Sequence, residues 1–249
     1  MSEFEQLGLF DEEYPEYKIT NKIRLIELFA GISAQSMALK RLGVDFERHR
    51  AIEFDEFAMK SYNAICGTDF KPTDIRDIHA SDLGITERDK YTYIMTYSFP
   101  CTDLSLAGKQ AGMSRDSGTR SGLLWEVERL LKECGDNLPQ VLTMENVPQV
   151  HSDNNMPDFE EWILFLRHLG YSNFYGDLNA KDFGVPQNRD RCFMVSMLGK
   201  YDFKFPKPIP LEKVINDVLE PEVDEKFYIR SEKAELLINQ LIKDGKIEG

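Results

Sequence analysis

The feature that most constrains this chain is an alternation of strand-like and helix-like segments that starts near residue 23. Residues 23–29 are mostly apolar, as a buried strand is, and the turn at 30–33 leads into a helical pattern that Gly43 ends. Residues 49–53 form a second strand-like segment, followed by a helical pattern that ends at Gly67. Because parallel strands need helical crossovers, this alternation indicates an α/β fold with a mostly parallel sheet and helices on both faces.

The alternation continues along the chain to about residue 205. Further strand patterns lie at 91–97, 141–144 and 192–197, and helical patterns lie at 121–133 and 157–170. Ligands of such sheets bind beyond the carboxyl ends of the strands. Residues that directly follow the strands are therefore the first candidates for a functional site.

Composition divides the chain into three parts. Residues 1–20 are acidic and aperiodic, and we expect them to form an N-terminal extension packed weakly on one main domain, residues 21–205. Prolines at 206, 208 and 210 mark a surface connection. Residues 206–249 are predicted to form a helical C-terminal segment, with helical patterns at 211–219 and 231–243.

The net charge limits how this chain can bind nucleic acid. It has 43 Asp and Glu residues against 30 Lys and Arg residues, a formal charge of −13. Because nucleic-acid affinity depends on basic residues that displace phosphate counterions, this balance argues against a DNA-binding protein that acts alone. The sequence lacks a long apolar stretch and a signal-peptide pattern at its start, so we expect a cytosolic protein.

The cysteines and histidines are scattered along the chain. Cys66, Cys101, Cys134 and Cys192 form no Cys-x-x-Cys pair, and the four histidines show no ligand-like spacing with them or with one another. This pattern indicates reduced thiols rather than a disulfide framework. It also predicts no metal site.

One cysteine occupies a position suited to a nucleophile. Cys101 lies just past the strand at 91–97, and Pro100 directly before it restricts the backbone. Asp103, Ser105 and Gly108 then favour a loop, which would present the thiol at the end of the sheet. The competing interpretation is a buried cysteine that acts as a small hydrophobic residue, which is the commoner role of an isolated Pro-Cys pair.

Four short motifs occur in a fixed order along the chain. They are Phe29-Ala30-Gly31, Pro100-Cys101, Glu145-Asn146-Val147 and Gln187-Asn188-Arg189-Asp190-Arg191. Each motif alone is compatible with an ordinary turn, loop or basic edge. Together, over about residues 22–230, they resemble the motifs of the cytosine C5 DNA methyltransferases. The resemblance implies the Rossmann-like fold of S-adenosylmethionine-dependent methyltransferases.

The resemblance also implies an S-adenosylmethionine pocket. Glu53 follows the second strand, where an acid binds ribose hydroxyls in sheets of this class, and Asp74 resembles the family's aspartate that holds the adenine amino group. Either acid alone is also compatible with a solvated strand end. Ser33 stands where the family usually has a second glycine, which predicts a stiffer turn. The remaining residues implied to line the pocket are Phe29, Ala30, Gly31, Phe54, Ile75, Pro100 and Leu123.

The chemistry of cytosine methylation explains why the family needs these residue types. Cytosine C5 is a poor nucleophile, and addition of a thiolate to C6 makes C5 able to attack an electrophilic methyl group. The resemblance makes Cys101 that nucleophile and Glu145 the acid that stabilises N3. It implies that Asn146 positions this acid and the cysteine loop, that Arg191 contacts cytosine O2, and that Arg189 supports the loop.

Methylation of a stacked base requires that the base be flipped out of the duplex. The glycine-containing stretch 107–113 is suited to a loop that closes over an extruded base, and Lys109, Arg115 and Arg120 are expected to touch phosphate. Thr102 replaces the glutamine that is most common after the family's cysteine. That replacement alters the loop contacts expected with DNA.

The target-recognition region and final Gly-Asn-Ser motif of the family are not recognisable in this sequence. We therefore expect the catalytic subunit of a split, restriction-modification or phage-type enzyme, with DNA as substrate and a second subunit that supplies recognition. A tRNA cytosine-5 methyltransferase and a non-catalytic S-adenosylmethionine-binding regulatory subunit are the alternatives. The intact Cys101, Glu145 and Arg191 favour catalysis.

Overall fold

The computed structural model describes residues 14–104, 112–115, 118–228 and 231–247. Six strands in these ranges form one sheet in the order β2-β1-β3-β4-β6-β5. The strands are β1 (Lys22–Leu28), β2 (Phe46–Ile52), β3 (Tyr91–Tyr97), β4 (Val141–Asn146), β5 (Tyr171–Asn179) and β6 (Asp190–Leu198). The helices are α1 (Ala34–Arg41), α2 (Glu56–Cys66), α3 (Ala80–Leu83), α4 (Leu124–Cys134), α5 (Met156–His168) and α6 (Glu232–Lys243).

The sheet is mostly parallel, as the alternation of patterns predicts. Strands β1 to β4 pair in parallel, whereas β6 pairs antiparallel with both β4 and β5. Strand β5 was not predicted, because its sequence, YSNFYGDLN, mixes polar and apolar residues without a run of β-branched ones. It is an edge strand, and only its first and last residues are buried.

The core lies around the central strands. Strand β3 is buried along most of its length, since helices cover both of its faces. The largest fully buried side chain, Trp162 of α5, donates its indole N–H to the hydroxyl of Tyr97 at 3.1 Å, and the two rings meet edge to face. This contact ties α5 to the carboxyl end of β3, directly before the segment that carries Cys101.

A buried acid joins β1 to the first two helices. Glu27 is 1% exposed and accepts hydrogen bonds from the hydroxyl of Tyr62 and, at 3.2 Å, from the backbone N–H of Ser36. Burial raises the pKa of Glu27, although both hydrogen bonds oppose that effect. The network fixes α1 and α2 against β1 and thereby sets the turn that follows β1.

Some predicted boundaries were wrong. Strand β4 extends through Asn146, so Glu145 lies within the strand rather than after it. Residues 211–219 are not an α-helix and contain only the short 3-10 turn Ile215–Val218. Among the described residues of the C-terminal segment, the predicted helix is found only at α6, which Ser231 caps through its side chain.

The part of the N-terminal extension that the structure describes packs on the segment after β6. The backbone N–H of Asp202 donates to the carbonyl of Pro15 at 3.1 Å, and the rings of Tyr17 and Tyr201 meet edge to face. The division of the chain at residues 20 and 205 remains a prediction. No helix in the described ranges is long and apolar enough to span a membrane.

Candidate active site

The carboxyl ends of the parallel strands meet at one edge of the sheet, and a cavity of 510 Å³ opens there. We call it the Glu53 cavity. Its volume lies within the range of small-molecule sites, about 300–1,000 Å³. Seven predicted residues line it together, namely Phe29, Glu53, Phe54, Asp74, Ile75, Pro100 and Leu123. Seven others that line it were not predicted for it, namely Ile52, Thr73, Arg76, Ser98, Gly118, Thr119 and Arg120, although Ser98 directly follows β3.

Two residues predicted for this pocket do not form its wall. Ala30 is 4% exposed and packs under the turn against Ala51, Met59 and Tyr62. Gly31 does not line the cavity, but its backbone N–H donates a hydrogen bond to Oε2 of Glu53, which does, at 2.9 Å. The glycine thus acts through the acid rather than by contact with the cavity.

The turn after β1 has an unusual backbone. Phe29, Gly31 and Ser33 have φ angles of 57°, 54° and 73°. The left-handed region costs a non-glycine residue about 1–2 kcal/mol, and such strain is found where a ligand site needs a particular backbone. Ser33 is fully buried, and its Oγ has no hydrogen-bond partner within the described part of the chain.

Glu53 is held in place before any ligand arrives. One carboxylate oxygen accepts from the Gly31 N–H, and the other accepts from the Asp55 N–H, both at 2.9 Å. Each oxygen keeps a further lone pair for a hydroxyl donor. The side chain is therefore pre-positioned to accept hydrogen bonds from a ribose.

Asp74 lies on the same wall at the start of a short 3-10 turn. Its carboxylate accepts from the backbone N–H of Arg76 and pairs with the Arg76 guanidinium. The hydrogen bonds from Arg76 lower the pKa of Asp74, so the group is an acceptor at neutral pH. A carboxylate at this point suits an amino group such as that of adenine, and the two acceptor carboxylates with the aromatic rings of Phe29 and Phe54 fit S-adenosylmethionine.

The predicted nucleophile lies beside this cavity. Cys101 is half-buried and lines a second cavity of 730 Å³, the Cys101 cavity, together with Arg189 and Arg191. Asn146, which is 2% exposed, donates its side-chain N–H to the carbonyl of Phe99 at 3.0 Å and so fixes the backbone just before Pro100. The contact lies where the predicted role of Asn146 in positioning the cysteine loop requires it, and that role stays a prediction.

Glu145 faces a third cavity of 360 Å³ that shares Arg189 and Arg191 with the Cys101 cavity. Its Oε1 lies 2.9 Å from Nε of Arg191 and 3.8 Å from a guanidinium nitrogen of Arg189. The Glu145 side chain is 27% exposed, so it is less buried than the predicted role of an acid that stabilises N3 requires. The two arginines therefore line both the cavity that Glu145 faces and the cavity that Cys101 faces.

Two of the other three thiols are expected to be unreactive. Burial raises the pKa of Cys134 to about 11 and the pKa of Cys192 to about 12, so both remain protonated at neutral pH. The third, Cys66, packs beside Ser36 under α1 and lines none of these three cavities. Position therefore distinguishes Cys101 from the rest.

The fold gathers one histidine, one acid and one cysteine that sequence spacing did not connect. The ligand-type atoms of His151, Asp177 and Cys192 lie within 4.8 Å of one another. Bond lengths in tetrahedral zinc sites imply ligand atoms about 3.5 Å apart, so this spread is wide for a metal site. The His151 ring nitrogen is 3.0 Å from the Asp177 carboxylate, and hydrogen bonding accounts for that contact. The predicted absence of a metal remains a prediction.

Of the expected phosphate contacts, Arg115 is placed differently. Its guanidinium pairs with Glu128 and Glu161 and lies over the ring of Trp125. These contacts anchor residue 115 to α4 and α5, and its expected contact with phosphate stays a prediction. Arg120 lies on the wall of the Glu53 cavity. Lys109 and most of the predicted closing loop, 107–113, lie outside the described residues, which resume at Gly112.

Comparison with known proteins agrees with this architecture. The sequence model of the C-5 cytosine-specific DNA methylase family matches residues 23–246. Type II methyltransferase M2.ScrFI of Lactococcus lactis subsp. cremoris is 47% identical over 137 residues, which cover 55% of this chain and 37% of that protein. Type II methyltransferase M.HhaI of Haemophilus parahaemolyticus is 31% identical over 225 residues, 89% of this chain and 64% of that protein.

A solved structure, that of the S. pombe Dnmt2 methyltransferase, superposes with a TM-score of 0.65 at 25% identity, over 88% of this chain and 66% of that one. The chain thus spans less than two thirds of the length of the two curated relatives above. Its fold is that of the S-adenosylmethionine-dependent methyltransferases. Since the family match extends over most of its length, the protein belongs to the C-5 cytosine-specific DNA methylase family.

Proposed function

We propose that this protein transfers a methyl group from S-adenosylmethionine to C5 of cytosine in DNA. The observation that carries the proposal is the position of one dipeptide between two cavities. Pro100 lines the Glu53 cavity, whereas Cys101 lines the neighbouring cavity that contains the arginines. A methyl donor bound on one side and a cytosine bound on the other would meet at this dipeptide.

The Glu53 cavity would hold the cofactor, which supplies an electrophilic methyl group. Glu53 would accept hydrogen bonds from the ribose hydroxyls, and Asp74 would accept one from the adenine amino group. Phe29 and Phe54 offer aromatic surface for the adenine ring. Phe54 is 70% exposed, which is unusual for a large apolar side chain and consistent with a role in ligand binding. Pro100 and Leu123, which also line this cavity, would contact the methionine part.

In the Cys101 cavity, the Cys101 thiolate forms a bond from Sγ to C6 of the flipped base. The C5=C6 electron pair moves toward C5, and donation to N3 by a protonated Glu145 stabilises the resulting enamine. C5 would then bond to the methyl group of S-adenosylmethionine as the sulfonium S–CH3 bond breaks and S-adenosylhomocysteine leaves. A base such as water would take the C5 proton and N3 would return its proton to Glu145, so that the C5=C6 bond re-forms and the Sγ–C6 bond breaks to release the Cys101 thiolate. Arg191 contacts O2 and Arg189 supports the loop, while Asn146 holds the carbonyl of Phe99 throughout.

A cofactor-binding measurement tests the role of Glu53. In Glu53→Ala, S-adenosylmethionine is expected to bind more weakly by about 1.5–3 kcal/mol, because the hydrogen bonds from the ribose to a charged acceptor are lost. Isothermal calorimetry measures the difference. Asp69→Ala is the matched control, since Asp69 is an exposed acid that does not line the Glu53 cavity. Equal affinity in Glu53→Ala, or tighter binding of a dinucleotide, would reject the pocket.

We further propose that a second polypeptide supplies target recognition and a basic surface for DNA. The net charge of −13 repels a polyanion, so efficient DNA binding needs positive charge from elsewhere. No residue of α6 is buried, and Leu236, Leu237 and Ile238 are 64%, 60% and 46% exposed. Residues 209–228 expose further large apolar side chains, so this end of the described chain offers a contact surface.

Purification from the native source tests this partner. A basic companion chain is expected to co-purify with the wild-type protein and to be lost from Leu237→Asp, because a charge would enter the apolar contact. Asn239→Asp, on the opposite side of α6, is the matched control. Methyl transfer to duplex DNA and to tRNA is then assayed with and without the companion. Site-specific methylation of DNA by the isolated 249-residue chain would contradict the need for a partner.

A further inference from the structure

An acid two residues after Cys101 joins the cysteine loop to the wall of the Glu53 cavity. Asp103 is 8% exposed, and its Oδ2 accepts hydrogen bonds from the backbone N–H groups of Arg120 at 2.8 Å and Ser121 at 3.3 Å. These N–H groups belong to the start of the 3-10 turn Ser121–Leu123, which continues directly into α4. N–H groups at a helix start lack partners within the helix, and a carboxylate satisfies them well.

A second hydrogen bond joins the same two segments on the other side of Cys101. Ser121 is fully buried, and its Oγ donates to the carbonyl of Pro100 at 2.7 Å. The Leu104 N–H closes a turn on the carbonyl of Cys101 at 3.0 Å. Cys101 is therefore held between Pro100 and Asp103, both of which are bound to residues 120–121.

The segment that forms these hydrogen bonds with Pro100 and Asp103 also belongs to the wall of the proposed cofactor site. Gly118, Thr119, Arg120 and Leu123 line the Glu53 cavity, as does Pro100. A ligand that presses on residues 118–123 moves the N–H groups that Asp103 accepts from. The hydrogen bonds therefore form a short, mostly buried route from the cofactor cavity to the nucleophile.

We propose that Asp103 is a positioning residue that couples occupancy of the Glu53 cavity to the placement of the Cys101 thiol. Asp103 does not touch the reacting atoms. It acts through the N–H groups of residues 120 and 121. Ser121 contributes a further hydrogen bond between the same two segments, from its hydroxyl to the carbonyl of Pro100. This proposal depends on the proposed function for the identity of the ligand, and it extends that function by one residue to which the family resemblance assigned no role.

Alkylation of Cys101 by iodoacetamide tests the coupling without any need for methyl transfer. The rate is followed by mass spectrometry of the Cys101 peptide at one pH, with and without saturating S-adenosylhomocysteine, in the full chain. In the wild type the ligand is expected to change the rate by about fivefold or more, which is the lower range of typical coupling between sites. In Asp103→Ala the change should vanish, while calorimetry shows that the ligand still binds.

Two further variants separate coupling from general damage. Asp103→Asn keeps an acceptor oxygen of the same shape and is expected to retain most of the ligand effect, whereas Ser121→Ala should lose part of it. Asp153→Ala, an exposed acid in a turn, should behave as the wild type. Should Asp103→Ala fail to fold, the comparison of Asp103→Asn and Ser121→Ala with the wild type decides the matter.

The outcomes distinguish this proposal from the proposed function. If S-adenosylhomocysteine binds the wild type and the rate does not respond, or if Asp103→Ala and Ser121→Ala respond as the wild type does, the coupling is wrong. If the ligand does not bind the wild type, the assigned cofactor is wrong. The alkylation rates without ligand then still test the role of Asp103. Loss of its hydrogen bonds should change the rate at Cys101 in Asp103→Ala, and a rate equal to that of the wild type would overturn the proposal.

Discussion

Cys101→Ser is expected to reduce methyl transfer by about 10⁴-fold or more, since the loss of a covalent nucleophile removes the pathway itself. A serine hydroxyl has nearly the same shape but is almost entirely protonated at neutral pH, so it does not add to C6. The fold and the affinity for S-adenosylmethionine should change little, because Cys101 does not line the Glu53 cavity. Single-turnover transfer of a labelled methyl group measures the effect.

The matched control for this variant is Cys66→Ser. Cys66 is a free, partly exposed cysteine in the same domain, and it lies outside the three cavities of the site. It should retain the wild-type rate within about twofold, as surface changes away from a site usually do. A Cys101→Ser protein that keeps a sizeable fraction of the wild-type rate would show that Cys101 is not the nucleophile.

Glu145→Gln is expected to lower the rate of methyl transfer by about 10²–10⁴-fold, the usual contribution of a positioned acid or base. Glutamine keeps the size of the side chain and can still hydrogen-bond Arg191, but it cannot deliver a proton to N3. The loss should appear in kcat, with the affinity for S-adenosylmethionine unchanged. Glu160→Gln, an exposed acid on α5, is the control.

The ion pair with Arg191 makes this second prediction informative. In the structure Oε1 of Glu145 lies 2.9 Å from Nε of Arg191, so the guanidinium already occupies one side of the carboxyl group. An entering base must therefore displace or share this arginine to reach the acid, as the proposed contact of Arg191 with O2 would do. If Glu145→Gln retains nearly full activity, N3 is stabilised by another group and the role of Glu145 is only to hold the arginines.

Much of the sheet was predictable because its central strands are rich in apolar, aromatic and β-branched residues. Strands β1 and β3 were located to within one residue at each end, and the acid after β2 was correctly placed at the carboxyl edge. Strand β5 was missed because its pairing with β6, rather than its own sequence, makes it a strand. The pattern at 211–219 resembled a helix but lacks a packed face, and those residues are exposed.

In the candidate site, too, the features that depend on local sequence were predictable, and those that depend on contacts between distant residues were not. Residues that follow strands, such as Glu53 and Pro100, fall on the predicted cavity because strand ends converge. The ion pairs of Arg115 could not be predicted, because nothing local indicates its partners Glu128 and Glu161, which come from α4 and α5. The hydrogen bonds from residues 120–121 to Asp103 span 17 and 18 residues, and no spacing rule predicts them.

Covalent trapping tests the central claim most directly. A duplex that contains 5-fluorocytosine is incubated with S-adenosylmethionine and with the protein as it is purified from its native source, together with any companion chain. Fluorine at C5 cannot leave as a proton does, so the adduct should persist. Digestion and mass spectrometry are expected to find the methylated base bonded to Sγ of Cys101, and only when the cofactor is present. An adduct at Cys66, Cys134 or Cys192, or a methylated duplex that forms no protein adduct, would contradict the account.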